Sequence, residues 1–272
     1  MAQLNDWPWQ YSSPWTYSSP WKYWANLRPQ AIAIRSGSQL ISWQQLAADI
    51  DSLTAGFQQQ GVAPGSGVVL RGKNSHTVLM AYLAALQCGA RVLPLNPQLP
   101  DALLVQLLPQ LNIDFVLNLA APLSASLCFT PLLLDTDSAV MTPVVWDSLR
   151  LATMTLTSGS SGLPKAAVHS LAAHLVSADG ILKLMSFTSA DSWLLSLPLF
   201  HVSGQGIVWR WLSAGATLVV QEGMALHDAL AGCSHASLVP TQLWRLLATD
   251  DSVLTLKEVF LGGATILTTL TQ

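Results

Sequence analysis

Thr157-Ser158-Gly159-Ser160-Ser161-Gly162-Leu163-Pro164-Lys165 is the stretch whose residue types and spacing could do chemistry. It holds four hydroxyls and two glycines and closes on a lysine. Glycine lacks a Cβ, so the backbone there can turn tightly and approach a ligand closely. Successive backbone N–H groups in such a turn form a concavity for an anion. Thr157, Ser158, Ser160 and Ser161 add hydroxyl donors, and Lys165 adds a mobile positive charge. These are the groups needed to hold a polyphosphate. The spacing Gly159-x-x-Gly162-x-x-Lys165, with Pro164 before the lysine, is not that of a Walker A loop. Nor is it a G-x-S-x-G nucleophile elbow, because Gly162 follows Ser161 directly. A Ser/Gly surface linker has a similar composition, but linkers do not usually follow a buried-strand pattern such as Leu151 to Leu156.

Three other groups stand out. His201 follows a strand-like run and precedes Ser203 and Gly204. A lone histidine is more often structural than catalytic. A Ser203–His201 hydrolase pair is the rival idea, weakened by the absence of an elbow and of an evident orienting acid. Gly262-Gly263-Ala264 reads either as a strand-to-helix turn or as bare backbone against which a flat ring can lie. Arg210 stands between Trp209 and Trp211 in an apolar helix. Its guanidinium either reaches solvent along its stem or clamps a carboxylate in bidentate fashion. His169 is a weaker candidate, beside the loop. Thr241 and Gln242 start a helix whose N-terminus could face an acyl pocket, while Trp244 and Leu246 read as core.

The elements that must position these groups alternate along the chain. Ala31 to Arg35 and Gln39 to Ile41 read as a hairpin around Ser36-Gly37. Ser42 offers an N-cap for a helix from Trp43 to Gln60, with Leu46, Ile50, Leu53 and Phe57 on one face. A strand follows over Val68 to Arg71, and Asn74 is expected to cap a second helix ended by Gly89. Ala90 to Leu95 is a strand, Asp101 to about Leu111 a helix, and Asp114 to Leu117 a strand. Residues 118–150, with Pro122, Pro131 and Pro143, read as a connector. After the loop come helices over Ser170–Leu184, Gly204–Ala214, Met224–Ala231 and Gln242–Ala248, and a last one from near Thr265. Strands over Ser192–Leu197, Thr217–Gln221, Ala236–Val239 and Val259–Leu261 separate them. The fold class expected is α/β: two α/β lobes, 31–150 and 151–272, with helices packed on mostly parallel sheets.

Composition narrows the function classes. Charged residues make up 10% of the chain, against about a quarter in typical domains, and hydrophobic residues 51%. A net charge of −3 gives no basic face for nucleic acid and no polybasic membrane anchor. No run approaches the roughly 18 apolar residues of a membrane span. Without a basic start followed by an apolar core, secretion is not expected. Cys88, Cys128 and Cys233 are odd in number and unpatterned, as in a reducing cytoplasm. Residues 1–30 are rich in Trp, Ser and Pro; Tyr11-Ser12-Ser13-Pro14-Trp15 recurs as Tyr17-Ser18-Ser19-Pro20-Trp21, which reads as a short tandem duplication. The rest of this segment is expected to pack its tryptophans on the domain surface.

The loop resembles the phosphate loop of the adenylate-forming superfamily: acyl-CoA synthetases, luciferases and peptide-synthetase adenylation domains. Leu197-Pro198-Leu199-Phe200-His201-Val202-Ser203-Gly204 resembles that family's second signature, and Val259-Phe260-Leu261-Gly262-Gly263-Ala264 its third. Ser161 stands where the family usually has threonine, so a hydroxyl is kept. The likeness covers nearly the whole chain. It is greatest to the o-succinylbenzoate–CoA ligases of menaquinone synthesis, over Ser196 to Leu212 and Ser237 to Leu247. The resemblance implies the large N-terminal domain of that fold and ATP-dependent activation of a small-molecule carboxylate, then transfer to CoA. Thr157 to Gly162 and Lys165 would cradle the phosphates, with Mg2+ offsetting their charge. Gly262, Gly263 and Ala264 would lie against adenine. His201, with Lys165, would serve catalysis, and His201 and Arg210 would bind the acid. The family's later motifs and its small lysine-bearing C-terminal domain are not found here. The chain therefore resembles the first half of a ligase, not expected to be fully active alone; the alternatives are a non-enzymatic nucleotide-binding remnant, or one half of a split ligase completed by another chain and acting on another carboxylic acid. Its second sheet is expected to end on an open apolar edge.

Overall fold

The computed structural model describes residues 18–123, 129–137, 140–157, 162–248 and 254–263. Its elements run α1 (Pro20–Leu27), β1 (Ile32–Ser36), β2 (Gln39–Ser42), α2 (Trp43–Gln59), β3 (Gly67–Arg71), α3 (His76–Gln87) and β4 (Arg91–Leu95). Next come α4 (Asp101–Leu107), a 3-10 turn (Leu108–Leu111), β5 (Phe115–Asn118), β6 (Thr130–Pro131), β7 (Leu151–Thr157) and β8 (Lys165–Ser170). The chain continues through α5 (Leu171–Leu182), β9 (Ser192–Leu194), α6 (Val202–Ala214) and β10 (Thr217–Val220). It reaches α7 (Leu226–Leu230), β11 (His235–Leu238), α8 (Pro240–Leu247) and β12 (Glu258–Leu261).

The strands form two six-stranded sheets, ordered β6-β5-β3-β4-β7-β8 and β12-β11-β9-β10-β1-β2. Pairing is parallel except within β1–β2 and β7–β8. This is the expected α/β class, with helices as crossovers between parallel neighbours. Sheet membership, however, does not follow the boundary at residue 150. The β1–β2 hairpin joins the later strands through Ile34↔Leu218, and β7 extends the earlier sheet through Val92↔Thr153. An isolated two-stranded hairpin is at best marginally stable. Docking on β10 puts Ala33 and Ile34 fully out of water.

Local signals explain three helix starts. Ser42 caps α2 by accepting from Gln45 N, Ser75 caps α3 by accepting from Val78 N, and Ser170 caps α5 by accepting from Ala173 N. Asn74, the expected cap of α3, is thus one residue too early, and its side chain goes elsewhere. The passage from the loop to α5 contains a strand, β8, that periodicity did not reveal. The helix expected from Thr265 and the first copy of the Tyr-Ser-Ser-Pro-Trp repeat lie outside the described residues.

One apolar core joins the sheets, since Val68, Leu70 and Val92 of the first share a cluster with Ile34, Trp193 and Leu218 of the second. α3 lies inside it and is buried from Val78 to Gln87, which suits a helix apolar all round. Trp21, in the second copy of the repeat, is fully buried, and its Nε1 donates to Gln87 Oε1 at 2.7 Å. Trp43 stacks on Trp211 with centroids 5.3 Å apart, fixing α2 against α6. Cys88 and Cys233 are free and buried; Cys128 lies outside the described residues.

The connector lies along α2. Gln60 exchanges hydrogen bonds with Leu133, and Gln58 with Thr142. Between them, a Cβ on Gly56 would stand 2.0 Å from Asp135 O. Alanine gains about 1 kcal/mol over glycine in a helix interior, whereas overpacking costs about 1–3 kcal/mol. Gly56→Ala is therefore expected to lower stability in urea unfolding. A rise would show that the connector does not rest on α2.

Candidate active site

The chemical loop is displayed by a hairpin. Thr157 and Lys165 are cross-strand partners in the β7–β8 pair, and Thr157 Oγ1 donates to Lys165 O at 3.2 Å. Both side chains are exposed. Gly162 has φ +149°, a conformation that favours glycine. Ser158, Gly159, Ser160 and Ser161 lie outside the described residues, as does Ala264.

Two threonines on the inward face of β7 anchor this hairpin, two residues apart as strand geometry requires. Thr153 Oγ1 lies 2.6 Å from His174 Nε2 on α5. Thr155 Oγ1 accepts from Gln205 Nε2 on α6 at 3.1 Å. His174 stacks almost parallel on Trp209, at 5.1 Å and 6°. Burial, followed by the charge of neighbouring His169, pushes His174 down to about 3, so its imidazole is neutral at physiological pH. His169 itself faces His174 edge-on across 5.5 Å.

His201 is set by the turn that enters α6. Its N–H donates to Pro198 O, and it occupies the N-cap position. The ring is edge-on to Phe200 at 4.8 Å. Gly204 makes the turn feasible, because a Cβ there would meet Pro198 O at 2.1 Å. A cavity of about 390 Å³ opens beside this segment, lined in part by Asn74, Ser196, Pro198, Phe200 and Gln242.

Arg210 does not reach solvent along its stem; it is 7% exposed. Its guanidinium lies 4.9 Å from the ring centroids of both Trp193 on β9 and Phe260 on β12. Nη1 donates to Ser237 Oγ on β11 at 3.2 Å. Burial lowers its pKa to about 10, still charged at neutral pH. Gly206, one turn earlier on α6, leaves room, since a Cβ there would come within 3.0 Å of Nη2. Gly262 and Gly263 follow β12, where Gly262 N donates to Leu238 O and Gly263 has φ +86°. Gln242 uses its side chain to accept from Val239 N. Leu246 packs on a small core cluster, but Trp244, expected in the core, is 67% exposed. It stands on the outward side of α8.

Arg210 lies against β9, β11 and β12, and Gly262 and Gly263 follow β12. Lys165 and Thr157 belong to the other sheet, and Gln205 links that sheet to α6. Open parallel sheets bind ligands at the carboxyl ends of their strands, which is where His201, Gly262 and Gly263 lie. His174, Gln205, Trp193 and Phe260 were not singled out from sequence. His174 had a signal: it falls on the apolar stripe Leu171, Leu175 and Ala178.

The family model for AMP-binding enzymes matches residues 21–272. The chain belongs to the AMP-binding enzyme family. This AMP-binding chain is 55% identical over 269 residues to the 2-succinylbenzoate–CoA ligase of Salmonella typhimurium, covering 99% of this chain and 56% of the relative. It is 53% identical to the Escherichia coli 2-succinylbenzoate–CoA ligase, again over 99% of this chain and 56% of the relative. A solved structure of E. coli MenE with a bound phenylether-linked analogue of OSB-AMS matches with a TM-score of 0.87 at 52% identity, covering 93% of this chain and 56% of that one. The chain thus spans about half the length of the curated relatives it matches. Among the described residues, no helix is long and apolar enough to cross a membrane, and no group of three or more His, Cys, Asp or Glu could hold a metal ion.

Neutral, buried His174 makes stability depend on pH. The unfolded imidazole takes up a proton near 6.5, the folded one only near 3. The unfolded state binds more protons in that window, so stability is retained above it and falls as pH drops through it. His76 and His235, also lowered chiefly by burial, act in the same direction. From about pH 7 to about pH 5, His174 alone should cost about 2 kcal/mol. His174→Gln should reduce the pH slope of urea stability by that amount. An unchanged slope would contradict a buried neutral imidazole.

Proposed function

We propose that this chain carries the nucleotide- and acid-binding part of an AMP-forming o-succinylbenzoate–CoA ligase. The observation that supports it most directly is Arg210: a desolvated guanidinium held between two aromatic faces, with no carboxylate partner among the described residues. A buried cation without a counter-charge is costly. o-Succinylbenzoate has two carboxylates, one to be activated and one to meet such a cation. The 55% identity to a 2-succinylbenzoate–CoA ligase supports the same acid.

In this reading one carboxylate attacks the α-phosphate of ATP and pyrophosphate leaves, giving the acyl-adenylate that CoA then converts to its thioester. The reaction brings two anions together, so the protein must supply charge and alignment. The turn from Thr157 through Ser158, Gly159, Ser160, Ser161 and Gly162 to Lys165 cradles the β- and γ-phosphates. Each charge-assisted bond there contributes about 1.5–3 kcal/mol. Mg2+ would supply positive charge to offset what the protein leaves unneutralised. Gly262, Gly263 and Ala264 flank adenine. His201 orients the reacting carboxylate and gates access to it, and Arg210 holds the second carboxylate. The cytoplasm is the compartment that suits free, buried cysteines.

The test is carboxylate-dependent exchange of pyrophosphate into ATP, run with the chain alone and with the remainder of the Salmonella relative supplied in trans. o-Succinylbenzoate should drive exchange, and Arg210→Ala should raise its KM on the order of tenfold or more, matching one lost charged hydrogen bond. Exchange indifferent to o-succinylbenzoate, or an unchanged KM, would contradict the assignment.

A further inference from the structure

The turn that carries His201 is gripped from both sides by residues to which the reaction gives no direct role. Asn74 sits after β3, in the other sheet. Its Nδ2 donates to Leu195 O at 3.2 Å and to Leu197 O at 2.8 Å, and its Oδ1 accepts from Leu199 N at 2.9 Å. The two carbonyls require the amide nitrogen and the N–H requires the amide oxygen, so the three bonds agree on one orientation. From the opposite side, Gln205 Nε2 donates to Leu199 O at 3.2 Å and to Thr155 Oγ1 at 3.1 Å. Both backbone polar groups of Leu199, two residues before His201, are therefore held by side chains.

Neither residue has a simpler task. The cap of α3 is already filled by Ser75, which accepts from Val78 N at 3.0 Å. Gln205 is fully buried, and its Oε1 has no hydrogen-bond partner. A glutamine kept inside with half its amide unsatisfied is poor for stability. A second bond crosses the sheets at the same place, where His76 N donates to Glu222 Oε1 at 2.9 Å.

We infer that Asn74 and Gln205 are positioning residues that set His201 through Leu199, and that Gln205 makes its placement depend on the strand that displays the phosphate loop. Asn74 refers the turn to the end of β3, and Gln205 refers it to β7 through Thr155. Misplacement of a reacting group by about 1 Å can cost on the order of a hundredfold in rate. The inference rests on the ligase reading only for what His201 does, not for where it is held.

The experiment uses the 272-residue chain itself. The imidazole signal of His201 is assigned by NMR, and binding of a sulfamate analogue of o-succinylbenzoyl-adenylate is measured by calorimetry. Asn74→Ala and Gln205→Met are compared with Ser75→Ala, which removes the α3 cap but none of the bonds to the turn. Gln205→Met keeps the volume and removes the orphan oxygen together with the two bonds, so it remains folded if Asn74→Ala does not. The expected result is a shifted or doubled His201 signal and analogue binding weakened on the order of tenfold in the Asn74 and Gln205 variants. Ser75→Ala should leave the His201 signal in place. A His201 signal at the wild-type position in folded Gln205→Met overturns the inference, whatever the binding result. Failure of the wild-type chain to bind the analogue would instead strike the ligase reading, and the His201 signals would still decide the positioning claim.

Discussion

Buried hydroxyls on β7 govern where the site can be. A strand that leads to an exposed turn must end at the surface, yet β7 is covered on both faces, with Met154 on one and Thr153 and Thr155 on the other. A buried hydroxyl without a partner costs about 1–3 kcal/mol. Thr153 can be satisfied by His174 and Thr155 by Gln205 only when α5 and α6 lie at fixed heights against the strand. The same contacts that remove that cost therefore set the hairpin, and with it Thr157 and Lys165. His174, stacked on Trp209, is held neutral there chiefly by burial.

α6 is the element on which these constraints meet. One turn of it carries Gln205 toward β7; the next carries Arg210 toward β9, β11 and β12. Its glycines act sterically. Gly204 allows the helix to start against Pro198, and Gly206 leaves the volume the guanidinium fills. Beyond its exposed first turn, α6 is buried over most of Gly204 to Leu212, with Trp209 and Trp211 fully out of water. A rigid helix with two polar outlets holds the β7–β8 hairpin and a buried cation in one frame.

Much of this was legible in sequence, for identifiable reasons. The Ser42 cap and the stripe Leu46, Ile50, Leu53 and Phe57 specify α2. β8 was not legible, because Lys165 to Ser170 lacks strict alternation and becomes a strand only through its pairing with β7. Asn74 was misread because asparagine and serine signal a helix start equally well, and only the geometry shows that Ser75 caps while Asn74 reaches across to Leu197. Arg210 was open between solvent and a buried role, since the two aromatic faces that hold it come from strands some 17 and 50 residues away in the chain. Sheet membership of β1 and β2 was hidden for a similar reason. Their partner, β10, is distant in sequence, and local patterns carry no record of it.

The central claim is that the turn from Thr157 to Lys165 grips the tail of ATP. The most direct measurement is a crystal structure of this chain with ATP and Mg2+, read for the position of the triphosphate. The account expects the β- and γ-phosphates against the backbone of Gly159 and Gly162, with Lys165 Nζ beside them. A triphosphate bound elsewhere on the chain, with that turn empty, would contradict it.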